Sequence, residues 1–208
     1  MKIEELRYDK ADLEEAVRVL QEGGVIVYPT DTVWGIGCDA TNAEAVKRIY
    51  ALKQREDSKS MLVLLDSAAK LNYYVEVPEA AEMLLGVQNT EYRVQTDSDE
   101  DETKPMTIIY PKARHLAENL IAEDGSVGIR ITNELFSKAL CARLKRPIVS
   151  TSANLSGHPT AHYFHEIEDA ILTGADYVCR FRREDETPHE PSSIIKINND
   201  GTFKVIRE

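Results

Sequence analysis

Apolar positions along the chain switch repeatedly between a helical and an extended period. Leu13, Ala16, Val17 and Leu20 recur at helical spacing, with Asp12 as the candidate cap and Gly23 as the stop. Val25 to Tyr28 is a short apolar run and predicts a strand, which Pro29 ends by fixing its own φ and pushing Tyr28 to an extended conformation. A Pro29-Thr30-Asp31-Thr32 corner leads into a second strand interrupted by Gly35 and Gly37. Asn42 then caps a helix carrying Ala45, Val46, Ile49, Tyr50 and Leu52, and Met61 to Leu65 reads as a buried central strand. Short helices are expected near 67–73 and 78–86, strands over Thr107 to Tyr110 and Ser126 to Ile131, and a helix from Asn133 through Leu144. A strand opening at Pro147-Ile148-Val149, a helix near 161–172 and strands near 176–179, 193–197 and 203–206 complete the pattern. No internal repeat interrupts it. Helices and strands mixed in this order predict an α/β protein (α+β in other schemes): one layered domain, 1–208, with a twisted mixed β-sheet flanked by helices.

Composition narrows the class. Of 208 residues 42% are hydrophobic, enough for a sizeable core. A net charge of −11 argues against a non-specific nucleic-acid binder, although a local basic patch remains compatible with it. Cys38, Cys141 and Cys179 are odd in number, far apart and in no metal-binding spacing, which predicts reduced thiols and a cytoplasmic protein. No apolar run reaches the length of a membrane span, and residues 1–20 are amphipathic and acidic rather than signal-like. Gln88 to Lys104, with its Asp97-Ser98-Asp99-Glu100-Asp101-Glu102 run, is too polar to bury a core and is expected to be a mobile acidic loop.

Three stretches carry chemistry. The Pro29–Thr32 corner can present hydroxyls and a carboxylate at one point, or can be a hairpin whose Asp stabilises its turn. Lys53-Gln54-Arg55, followed by Lys59, places cations at a helix C-terminus, where the helix dipole alone favours them. If the chain leaves that helix extended, Lys53 and Arg55 point the same way and, with Lys59, suggest an anionic ligand. Pro147-Ile148-Val149-Ser150-Thr151-Ser152-Ala153-Asn154-Leu155-Ser156-Gly157 runs a buried strand into hydroxyls and an amide. That is where ligands gather beyond strand ends, and it is equally an ordinary turn composition. His158, His162 and His165 have a spacing a metal can use, but no nearby cysteine, and read better as a solvated loop. Tyr28 and Trp34 read as core rather than as a stacking platform.

Together, Pro29-Thr30-Asp31-Thr32-Val33-Trp34-Gly35, Lys53-x-Arg55, Ser150-Thr151-Ser152-Ala153-Asn154-Leu155-Ser156-Gly157 and the tail Pro191-Ser192-Ser193-Ile194 with Arg207 resemble the YrdC-like family in order and spacing. That family comprises threonylcarbamoyl-AMP synthases and YciO-type paralogues. The resemblance covers residues 11 to 207, and four motifs in register are far more specific than any one of them.

The resemblance implies a YrdC/RibB-like fold with a concave basic cleft. It also implies a nucleotidyltransferase joining L-threonine, bicarbonate and ATP into threonylcarbamoyladenylate, with release of pyrophosphate. This is the first step of the threonylcarbamoyl modification of a tRNA adenosine. On the same basis Thr32, Ser150 and Ser193 are expected at the threonine, and Lys53 and Arg55 at the reacting groups. Arg55, Lys59, Thr107, Ser152, Asn154 and Arg207 are expected around the nucleotide. Mg²⁺ is expected with ATP, held by phosphates and water rather than by a carboxylate cluster. Implied partners are these small molecules, tRNA or double-stranded RNA and tRNA-modification proteins; none is a membrane. The chain departs from the family at Glu56, where Pro is usual, at Lys59-Ser60-Met61 and at Thr103-Lys104-Pro105-Met106-Thr107. Those departures support an alternative, a divergent YciO-type paralogue acting as an RNA-binding, translation-linked module with little synthase activity.

Overall fold

The computed structural model describes residues 8–55, 61–89, 104–198 and 200–208. Lys59, Glu56 and the acidic run 97–102 lie outside the described residues.

Among the described residues nine strands form one sheet. They are β1 (Ile26–Tyr28), β2 (Gly35–Gly37), β3 (Leu62–Leu65), β4 (Met106–Tyr110), β5 (Val127–Ile131), β6 (Ile148–Ser152), β7 (Tyr177–Val178), β8 (Ser193–Ile197) and β9 (Phe203–Arg207). Their order across the sheet is β7-β1-β2-β6-β3-β5-β4-β8-β9, with parallel and antiparallel neighbours mixed. The helices are α1 (Lys10–Gln21), α2 (Ala43–Lys53), α3 (Leu71–Tyr74), α4 (Glu79–Asn89), α5 (Leu135–Leu144) and α6 (Asp169–Gly174).

Strand alternation sorts the core into two layers. Val27, Ile36, Val63, Ile108, Ile129 and Val149 face the layer of α2, α4 and α6. Ile26, Tyr28, Leu64 and Ile148 face α1 and α5, whose Leu13, Leu20, Phe136 and Leu140 are buried against them. Between β2 and β6 the approach is backbone to backbone. A Cβ on Gly37 would collide with the carbonyl oxygen of Val149 and lie 2.8 Å from the Tyr28 ring.

Three local expectations are corrected. Asp9, not Asp12, caps α1, accepting from the amides of Ala11 and Asp12. Asp12 is instead buried and accepts from the Arg180 and Phe181 amides and the Tyr177 hydroxyl, because a carboxylate in the first turn of the helix reaches β7 and the chain that follows it. α5 begins at Leu135 rather than at Asn133, because Glu134 is its cap, its carboxylate taking the Phe136 and Ser137 amides. The helix expected near 161–172 is two pieces, a single 3₁₀ turn at Phe164–Glu166 and the short α6. Asn42 caps α2 as expected, with its side chain accepting from Glu44 and Ala45. All three cysteines are buried and free.

Candidate functional site

A cleft of about 970 Å³ opens on the sheet face that carries α1 and α5. The strand parity explains its composition: the residues alternating with the other layer's core are small or hydroxylated here. Gly35, Gly128, Thr107, Ser150 and Ser152 keep the floor low, so the sheet surface beyond the two helices stays open. Met61, Leu62, Ile109 and Ile194 add apolar patches, while Arg55, Arg130, Lys196 and Arg207 bring cations and Glu123 and Asp124 bring carboxylates.

The Pro29–Thr32 corner closes one end. Thr30 Oγ1 donates to the Val33 carbonyl at 2.6 Å and accepts from the Thr32 amide at 3.1 Å, while lying 3.2 Å from Thr32 Oγ1. These bonds fix the Thr32 side chain at the cleft, where the residue is 7% exposed. Behind it, Asp31 Oδ1 stands 2.9 Å from Arg130 Nη2, with the two side chains 12% and 3% exposed. The contact is an ion pair without hydrogen-bond alignment: Asp31 Oδ1 and Arg130 Nε have no hydrogen-bond partner. Burial raises the Asp31 carboxyl above its usual range, opposed by Arg130, and lowers the Arg130 guanidinium, opposed by Asp31.

At the other motif the structure departs from the extended geometry expected after α2. Gln54 adopts a left-handed conformation (φ 51°) as the C-cap, so Lys53 and Arg55 do not share one face. Arg55 lines the cleft. Lys53 turns inward, almost wholly buried, where its ammonium donates to the carbonyls of Ser152 and Asn154, the latter at 2.6 Å. The Ser156 amide returns a bond to the Lys53 carbonyl at 2.8 Å, so one lysine ties the end of α2 to the end of β6. Burial, then the like charge of Arg55, brings Lys53 down to about 8.

Of the residues singled out by sequence, Thr32, Arg55, Thr107, Ser150, Ser152 and Arg207 line the cleft. Lys53, Asn154 and Ser193 do not. The Asn154 amide donates to the carbonyls of Leu155 and His158, bending the chain after β6, and its Oδ1 is buried without a partner. Ser193 Oγ lies 3.5 Å from the Pro105 carbonyl, and its neighbour Ser192 lines the cleft instead, bonded to Thr107 at 3.0 Å and to Arg207. Arg207 Nε is fixed by the Ser192 carbonyl at 2.8 Å. Sequence reasoning missed Arg130 and Lys196. Each alternates with core residues along its strand, and a charged residue in a buried strand was the available signal. His158 pairs with Glu168 at 2.7 Å, and His162 borders the cleft. Among the described residues no three His, Cys, Asp or Glu side chains cluster as metal ligands. No helix of the described residues is long and apolar enough to cross a membrane.

A mixed sheet with an open, hydroxyl-lined and arginine-bearing cleft on one face defines an α/β protein whose cleft has the size of a small-molecule pocket. The chain belongs to the Sua5/YciO/YrdC family, whose model, described as "Telomere recombination", matches residues 18–208. The threonylcarbamoyl-AMP synthase of Pseudomonas aeruginosa (strain UCBPP-PA14) is 37% identical over 169 residues, covering 77% of this chain and 83% of that protein. In fold the chain is similar to E. coli YciO, with a TM-score of 0.77 at 24% identity over 96% of this chain and 90% of that one. It is also similar to P. abyssi Sua5 complexed with L-threonine, with a TM-score of 0.74 at 24% identity over 91% of this chain. It spans about half of that protein, 52% of its length.

Proposed function

We propose that the chain is an L-threonylcarbamoyladenylate synthase, a nucleotidyltransferase acting on L-threonine, bicarbonate and ATP. The observation that carries this reading is the presence, in one cleft, of a fixed hydroxyl corner with the buried Arg130 behind it and of the further cations Arg55 and Arg207. Such a cleft suits an amino acid at one end and phosphates at the other. The relatives' name supports the same assignment.

In this reading Thr32 and Ser150 hold threonine, and Arg130, beside Asp31, takes its carboxylate. Arg55 and Arg207 face the nucleotide's phosphates, with Thr107, Ser152 and Ser192 as neutral donors. Lys53 and Asn154 shape the β6 end from behind. Ser193 acts through the adjacent Ser192. Threonine's amine takes up bicarbonate, with loss of water. An oxygen of the resulting carbamate attacks the α-phosphate in line, and pyrophosphate leaves. The protein's part is to align the carbamate with the phosphate and to set cations where charge builds on the leaving group. Mg²⁺ enters with ATP as part of the substrate, on phosphates and water. This activity is the first step of tRNA threonylcarbamoyladenosine formation.

The test is pyrophosphate release by the purified protein with MgATP and bicarbonate, with and without L-threonine. Release that requires both threonine and bicarbonate is expected, and Arg55→Ala should lower it about 100-fold. Release independent of threonine, or none, overturns the reading. Retained ATP binding without release would then favour a YciO-type paralogue. RNA retained by a protein that binds neither substrate, and released by salt rather than by ATP, would favour the RNA-binding module.

A further inference from the structure

The segment between β7 and β8 joins one edge of the sheet to the strand next to the other edge. That is seven strand spacings, about 34 Å along the sheet at the usual separation. The chain from Cys179 to Ser192 reaches roughly 46 Å when fully extended, so it can cross that span as a strap along the sheet even with the turn at residues 181–184. The strap passes the cleft end closed by the Pro29–Thr32 corner: Arg182, Asp185, Thr187 and His189 line a small recess with Thr30 and Thr32, and Pro191 and Ser192 reach the main cleft.

Arg182 is where strap and corner meet. Its backbone is left-handed (φ 63°), a conformation that side-chain-bearing residues rarely adopt, and its side chain is 20% exposed. Nη1 donates to the Thr30 carbonyl at 3.2 Å. Nε donates to Asp185 Oδ2 at 2.7 Å, and Nη2 lies 2.6 Å from His189 Nε2. Since a guanidinium only donates, His189 accepts through Nε2. The carboxylate of Glu134, the α5 cap, stands 3.9 Å from Nη1. Asp185 and His189 therefore hold the guanidinium in place, and the guanidinium holds Thr30. Thr30 in turn sets Thr32 through the hydroxyl contact and the Thr32 amide.

We propose that Arg182 is a positioning residue for the amino-acid substrate. It acts through Thr30 to fix the Thr32 hydroxyl, and the strap's Asp185 and His189 keep it there. The proposal rests on the reading of this corner as the threonine site. It gives the strap a part in threonine affinity that the motif residues alone do not supply.

Wild type, Arg182→Ala and Arg182→Lys are compared in the full chain by threonine-dependent pyrophosphate release. Arg182→Ala should raise the KM for threonine roughly tenfold, the loss of one charge-assisted hydrogen bond. The KM for ATP should stay within about twofold, because the phosphate cations do not depend on the corner. Arg182→Lys, which keeps the charge but not the fork, should fall between. Equal rises in both KM values, or no rise for threonine, would overturn the proposal. Where Arg182→Ala fails to fold, Asp185→Asn gives the same split at a smaller size, and its absence is equally adverse. Backbone amide exchange at residues 30–33 should be faster in each variant, with or without substrates. If the wild type uses no threonine, the substrate assignment of the corner falls and the synthase reading with it. Unchanged exchange then removes the positioning role itself.

Discussion

The two ends of the cleft hold their charges in opposite ways. At the corner, Arg130 and Asp31 are sunk in the floor, 3% and 12% exposed. At the β8–β9 hairpin, Lys196 and Asp124 meet at 2.5 Å but are 33% and 52% exposed, and Asp124 also accepts from its own loop at Ser126. The shorter pair is the weaker support. Water screens the rim pair and can replace either partner, whereas the buried pair is shielded from water and each partner is the other's largest opposing charge. The corner end is accordingly the more densely braced one, through Thr30, Arg182 and the close contact of β2 with β6. The hairpin end is an exposed edge strand whose cation, Arg207, is fixed by Ser192.

That contrast can be broken in order of expected size. Arg130→Ala leaves Asp31 buried without its cation and should cost about 3–5 kcal/mol in urea unfolding. Adding Asp31→Asn to it should recover a large part, which a merely volumetric effect would not do. Lys53 gives the next effect through pH. At pH values below about 8 its ammonium is charged in both folded and unfolded chains, and the fold bears its burial. Between about 8 and the unfolded value of about 10.4, the unfolded chain binds more protons, so stability rises with pH by at most about 3 kcal/mol. The difference between wild type and Lys53→Met should show this rise, and a flat difference across that window would contradict it. Gly37→Ala forces β2 from β6 and should cost roughly 1–3 kcal/mol, seen as a lower thermal midpoint. Lys196→Ala at the rim should change stability by less than about 1 kcal/mol. A cost there rivalling Arg130→Ala would erase the distinction between the two ends.

Much of this was legible in the chain. Strand and helix order followed from periodicity and punctuation, because alternation and capping are local properties of neighbouring residues. The threonine, serine and arginine positions that reach the cleft were recognisable as motifs for the same reason: Thr32, Ser150 and Ser152 sit where a strand or corner exposes one side in a fixed register. Lys53 was harder. Its spacing from Arg55 fitted convergence, but a single left-handed residue, Gln54, turned one side chain inward and left the other on the cleft. Local spacing does not specify which backbone well the intervening residue takes. The helix cap at Glu134 and the displaced role of Asp12 were decided in the same way, by which amides the fold brought within reach.

The sequence by itself determined the alternation of elements, the hydroxyl and cation content of the motifs and the family to which they belong. Only tertiary structure decided that Arg130 and Asp31 would meet across a distance of ninety-nine residues, that Ser192 and not Ser193 would face the cleft, and that Arg182 would reach Thr30 from the strap. Such pairings arise from strand order and from the faces that strands present. Those depend on how the layers pack, and no window of neighbouring residues contains that information.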